Sequence, residues 1–323
     1  MLAQRYPALY DGIAAGAPAI HWNPGVGSVQ WPQQVMNMLD KYPYPCELDA
    51  IVEAAITSCD GLDGVVDGII AEVDECLTTF DPFSIVGTLI NCTEAAGETI
   101  QVSEAAAVVV DATWAGPSTE SGNWTWYGLN PGADITGSHS TPATLISVQT
   151  NCTGGVCVGV PNPLSSIWLQ LFVAKNPEFN VSNITHAEFD SMIHLSQQLY
   201  GDTVGTEEPD LTEFHNAGGK LVTFHGLADT LIPPNGSSHY YNSVAAVTPG
   251  VDQFYRHFEI PGLGHCYSGR SGQPSDLFLQ LRAWVENGTA PERTVVNTTD
   301  LNNEIRPRIL CPYPKKVDAT GFC

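Results

Sequence analysis

Lys220-Leu-Val-Thr-Phe-His-Gly-Leu-Ala-Asp229 is the stretch on which the fold turns. Its start is a short apolar and β-branched run, and Gly226 ends it, which is the signature of a strand followed by a tight turn. In open α/β sheets, functional groups sit just past the carboxyl ends of strands, and Asp229 occupies such a place. Working outward, Gln253 to Ile260 reads as a second strand, and His265, in Gly262-Leu-Gly-His-Cys266, lies just past it. Ser238 to Val247 reads as a short helix between them. A last amphipathic helix is expected from Ser275 to Glu286, with Leu277, Leu281, Trp284 and Val285 on one face. Gly12-Ile-Ala-Ala-Gly-Ala-Pro18 is a third apolar run bounded by breakers, and it follows the end of a helix stopped by Pro7.

A carboxylate and a histidine so placed suit an acid and base that activate a serine hydroxyl. The histidine takes the proton, and the carboxylate holds its tautomer and stabilises the imidazolium. The serine of such a set is expected before the aspartate, within Gly-x-Ser-x-Gly. No such pentapeptide occurs in residues 1–323. Spacing alone leaves a second reading open, in which Asp229 forms a turn and His265 caps a loop. His21, His139, His186, His194, His215, His239 and His257 have no motif context and read as surface or packing residues. His225, in the same loop as Asp229, reads as structural.

The 35 acidic and 12 basic side chains give a net charge of −23, which repels phosphate backbones and anionic membranes and excludes a nucleic-acid footprint. No run approaches the length of a membrane span. With 43% hydrophobic residues in 323, the chain can bury a sizeable core. Nine cysteines and eight Asn-x-Ser/Thr sequons (Asn91, Asn123, Asn151, Asn180, Asn183, Asn235, Asn287, Asn297) point to a glycosylated, secreted, disulfide-bonded protein. Cys59 with Cys76 and Cys152 with Cys157 read as local bridges, and Cys311 with Cys323 as a pin for the C-terminal tail. Cys46 with Cys92 follows only by elimination. The first residues carry neither the apolar run nor the cleavage site of a signal peptide. The expectation is that this chain is the downstream part of a longer polypeptide, with one cysteine unpaired.

Between Pro32 and Asp210 the texture changes to Pro/Gly/Asn/Thr-rich connections around helical stretches at Leu48–Ser58, Ser103–Trp114, Leu164–Ala174 and His186–Tyr200, as an inserted domain would show. Within it, Asp60-Gly-Leu-Asp63-Gly-Val-Val-Asp67 places three carboxylates among glycines. That suits either a hard cation or a solvated acidic turn. Trp124, Trp126 and Tyr127 read as core packing.

Four stretches together, AQRYPALYDGIAAGAPA (Ala3 to Ala19), CDGLDGVVDGII (Cys59 to Ile70), HGLADTLIPP (His225 to Pro234) and GLGHC (Gly262 to Cys266), make the chain resemble the tannase and fungal feruloyl esterase family of secreted α/β-hydrolases. The resemblance implies an incomplete α/β-hydrolase parallel sheet, residues 1–36 and 213–323, with a large inserted lid domain, residues 37–212. It implies a serine esterase for phenolic-acid esters, feruloyl or galloyl, with Asp229 and His265 as acid and base. The nucleophilic serine and the cysteine that would pair with Cys266 are expected upstream of Met1, so the chain alone is expected to be inactive or to need a separate N-terminal chain. It further implies a structural calcium ion, held by the side chains of Asp60, Asp63 and Asp67 and the carbonyls of Val65 and Ile69. A calcium-dependent glycan-binding module is the remaining alternative. The partners expected are a small or polysaccharide-linked ester substrate, with no nucleic acid and no membrane.

Overall fold

The computed structural model describes residues 1–138, 145–317 and 323. Contacts divide the chain into two units, one of Met1–His21, Gly205–Asp229 and Pro234–Cys323, the other of Trp22–Val204 and Thr230–Pro233.

The first unit is built on three parallel strands in the order Gly12–Gly16, Lys220–Gly226, Tyr255–Ile260, with Ala14 opposite Val222 and Val222 opposite Arg256. Parallel strands joined by crossover helices are covered on both faces. Val222, Phe258 and Ile260 pack with Leu277, Leu281 and Trp284 of the Leu277–Asn287 helix. On the other face, Leu221 and Tyr255 pack with Tyr240, Tyr241 and Val244 of the Asn235–Val247 helix. Two boundaries differ from the sequence reading. The last helix starts at Leu277, because Pro274 to Asp276 form a turn, and the helix expected from Ser238 starts at Asn235. An antiparallel pair, Thr294–Thr299 with Ile305–Leu310, has no counterpart in that reading, and a disulfide joins Cys311 to Cys323.

The second unit is mainly helical. Pro45–Cys59, Glu104–Ala115 and Trp22–Leu39 share a core of Trp31, Met36, Ile51, Ala55, Val110 and their neighbours. Glu47 ties two of these helices together: one carboxylate oxygen accepts the Tyr44 N–H at 2.8 Å and the other accepts the Ser103 N–H at 2.8 Å. A single buried side chain thus satisfies the orphan donors of two helix starts. The Trp22–Leu39 helix is absent from the sequence reading for a physical reason. It carries Pro24, Gly25, Gly27 and Pro32 and buries Asn23, Gln30, Gln33 and Gln34, so no apolar stripe marks it. Because it packs on Glu104–Ala115 and His186–Val204, the division falls after His21 and Val204 rather than after 36 and 212. Bridges join Cys46 to Cys92, Cys59 to Cys76 and Cys152 to Cys157. Trp126 is buried, but Trp124 is 55% exposed, so it is not the core residue expected of it.

Candidate active site

The candidate site is made where two strand ends meet. The Lys220–Gly226 strand delivers His225 and then turns through Leu227 and Ala228 to Asp229. The Tyr255–Ile260 strand runs on to His265. Main-chain bonds stitch the two exits: the Leu227 N–H donates to the Ile260 carbonyl at 2.8 Å, and the Ala228 N–H to the Leu263 carbonyl at 3.0 Å. The approach is so close that a Cβ on Gly226 would lie 2.1 Å from the Leu263 carbonyl oxygen. That position admits only glycine without moving one loop off the other. Beyond it, Gly264 N–H bonds back to the Ser268 carbonyl, so His265 is held on a tight turn.

Asp229 and His265, predicted from sequence as a pair, are in contact. The His265 Nδ1–H donates to Asp229 Oδ2 at 2.8 Å. Asp229 is fully buried, whereas the His265 side chain is 24% exposed. Among the described residues no hydrogen-bond partner engages His265 Nε2, the nitrogen that a base in this arrangement directs at a nucleophile. Burial, the largest influence on Asp229, pushes its carboxyl up. Hydrogen bonds from His225 and His265, with their charge, outweigh it and hold the group down at about 2. Conversely, the bond to Asp229 raises His265 above its ordinary value against the opposing effect of burial. The result is an ionised acid, a strengthened base and an open nitrogen.

The sequence reading missed the second histidine on this carboxylate. His225, also fully buried, donates Nε2–H to the same Asp229 Oδ2 at 3.1 Å, and its Nδ1 lies 2.8 Å from Ser237 Oγ. The signal available was the i, i+4 spacing of His225 and Asp229 in a loop where His225 reads as structural. His257, on the neighbouring strand, is buried against Thr223 Oγ1 at 2.9 Å, and burial, with the charge of His225, pushes it down to about 3. His139 lies outside the described residues. Cys266 has a free thiol beside His265; burial and then the charge of Asp229 push it up.

The acidic loop is built differently. Asp60 Oδ1 accepts the main-chain N–H groups of Asp67, Gly68 and Ile69 at 3.0, 2.9 and 3.1 Å. Asp63 Oδ1 accepts from Val65, and Asp67 Oδ1 from Ile69. Asp60 and Asp67 are buried, and the Cys59–Cys76 bridge closes the segment. All donors that the loop offers are oxygens, the right kind for a hard cation. Among the described residues, though, the trio whose ligand atoms fall within 4.8 Å of one another is Cys46, Cys92 and Glu94, and those two cysteines are bridged. The three loop carboxylates are not drawn that close. No helix among the described residues is long and apolar enough to cross a membrane.

Comparison with known proteins places this geometry in context. The family model described as "Tannase and feruloyl esterase" matches residues 1–321. A probable feruloyl esterase of Arthroderma benhamiae is 35% identical over 319 residues, 97% of this chain and 57% of that protein. The tannase of Aspergillus oryzae is 27% identical over 97% of this chain and 60% of its own length. Among solved structures, a tannin acyl hydrolase from Aspergillus niger superimposes with a TM-score of 0.86 at 30% identity, covering 98% of this chain and 59% of that one. The chain therefore spans less than two thirds of the relatives it matches.

Proposed function

Because the chain belongs to the tannase and feruloyl esterase family, we propose that it carries the acid and base of a serine carboxylesterase for phenolic-acid esters, feruloyl or galloyl. The observation that carries this is the 2.8 Å bond from His265 Nδ1 to a buried, ionised Asp229 with Nε2 left open. In this reading Nε2 accepts the proton of a serine hydroxyl as its oxygen attacks the ester carbonyl. The imidazolium then returns that proton to the departing alcohol oxygen, leaving an acyl-serine. Water, deprotonated by the same nitrogen, releases the acid and restores the serine. Backbone N–H groups stabilise the oxyanion, one of them from the residue after the serine.

The serine is assigned to sequence N-terminal to Met1, beside a cysteine that bonds to Cys266 and ties nucleophile to base. On this assignment the 323 residues alone are inactive. The second unit, Trp22–Val204 with Thr230–Pro233, acts as a lid domain that governs substrate choice, braced by calcium on the side chains of Asp60, Asp63 and Asp67 and the carbonyls of Val65 and Ile69; the buried Asp60 and Asp67 support the ion by chemistry of donor rather than by convergence. The protein is secreted and glycosylated, a reading supported by four disulfides and by the exposure of Asn91, Asn123, Asn151, Asn180, Asn183, Asn287 and Asn297.

The test is hydrolysis of methyl ferulate and methyl gallate by this chain alone and by a polypeptide extended upstream through the serine. Turnover by the extended form that His265→Ala abolishes is the expected result. Turnover by the 323-residue chain that His265→Ala abolishes overturns the upstream serine, and turnover by the extended form that survives His265→Ala overturns His265 as the base.

A further inference from the structure

Ser237, His225 and Asp229 have the composition of a complete triad, with separations of 2.8 and 3.1 Å. Yet Ser237 is 1% exposed and His225 is fully buried, so no ester reaches that hydroxyl. A buried polar relay placed behind the carboxylate of the base calls for a different role. From this geometry, and resting on the reading of His265 as general base, we infer that His225 is a positioning residue that moderates His265: it donates to the same Asp229 oxygen, and Ser237 holds it in the tautomer that does so.

The argument is one of shared charge. Asp229 Oδ2 accepts from both imidazoles, and a bond to an ionised group is stronger than one between neutral groups. Two donors on one oxygen each draw on the same negative charge, so neither bond is as strong as it would be singly. Without His225, Oδ2 would lose one imidazole donor, bind the imidazolium more tightly and keep the base protonated to higher pH. The proton on His225 must sit on Nε2, because an ionised carboxylate only accepts. In the neutral ring Nδ1 then accepts, and the Ser237 hydroxyl is its donor. The opposite tautomer would aim a lone pair at the carboxylate.

Three further titratable groups face this set. Cys266 lies beside His265 and feels the charge of Asp229. His257 feels the charge of His225 from the neighbouring strand, and burial keeps it neutral through the ordinary range. Glu259 sits opposite His225 in the strand register and accepts from Ser238 at 2.5 Å. The functional consequence is a base that gives up its proton at a lower pH than it would without His225.

The experiment is an NMR titration of the His265 ring in the 323-residue chain, with Leu or Gln in place of His225 and Ala in place of Ser237. In His225→Leu the His265 midpoint is expected to rise by about half a pH unit or more, a roughly threefold gain in proton affinity. Ser237→Ala should move it the same way by less. His225→Gln, which keeps an N–H donor at that distance from the backbone, should restore the wild-type midpoint, which a merely space-filling role would not. If His225→Leu does not fold, Ser237→Ala and His225→Gln carry the test. An unchanged or lowered midpoint in every folded variant that loses the donor or its tautomer lock overturns the inference. The readout needs no turnover, so a shifted midpoint alongside an upstream-extended protein that lacks esterase activity would sink the functional reading and leave the coupling standing.

Discussion

Asp229 and Asp60 are both buried carboxylates, one in each unit, and they are compensated by different chemistry. Asp229 shares one oxygen between two imidazoles. Asp60 gives one oxygen to three main-chain N–H groups. Imidazoles titrate near neutrality, so the first arrangement can pass a proton through His265. Amides do not titrate, so the second can only shape its loop or present its other oxygen to a cation. The contrast teaches that burial of an acid says little about its work. The partners decide it.

Substituting each aspartate tests that contrast most severely. In the upstream-extended protein, Asp229→Asn is expected to lower kcat by about 10³–10⁴-fold, because His265 loses its tautomer, with little change in KM. Asp60→Ala should do the reverse, leaving kcat near wild type while costing about 3 kcal/mol of stability by stranding three buried N–H groups. Denaturant unfolding of both variants reads the difference, and a kcat collapse in Asp60→Ala would erase it.

Calcium sharpens the contrast further. At about a hundredfold excess over its dissociation constant, the ion should stabilise by about 2.7 kcal/mol and raise Tm. Asp60→Ala should lose this response and Asp229→Asn keep it. Identical melting curves with and without a chelator would remove the ion from the loop.

The smallest effect is in acid. Asp229 titrates at about 2 when folded against an ordinary 3.8. Its contribution to stability is therefore present above about pH 4 and is lost as pH falls toward 2, on the order of 2 kcal/mol. His265 is shifted the opposite way, so its contribution is present below its ordinary 6.5 and is lost as pH rises through its higher folded value. Asp229→Asn should flatten the acid part of the stability profile, and a profile that keeps its slope there would show that the carboxylate is not held down.

Much of this site could be read without coordinates, for identifiable reasons. Within the Lys220–Gly226 strand, Leu221 to Phe224 is an unbroken apolar and β-branched run, and residues just past strand ends are where an α/β sheet exposes side chains, so Asp229 and His265 stood out. Ser237 did not. A helix expected from Ser238 left it in a loop, and nothing local indicates that a serine on the first turn of a helix will meet a histidine twelve residues earlier. The Trp22–Leu39 helix was hidden because its polar residues are satisfied or enclosed by other segments, which no periodicity records.

By itself, the sequence determined the parallel strands, the Asp229 and His265 candidates and the family, because these depend on local runs and on words of fixed spacing. Only the tertiary structure decided that Gly226 lets two loops touch, that one oxygen of Asp229 serves two histidines, and that Ser237 stands behind them. Those facts depend on distances across strands, and chain order carries no measure of such distances until the strands are paired.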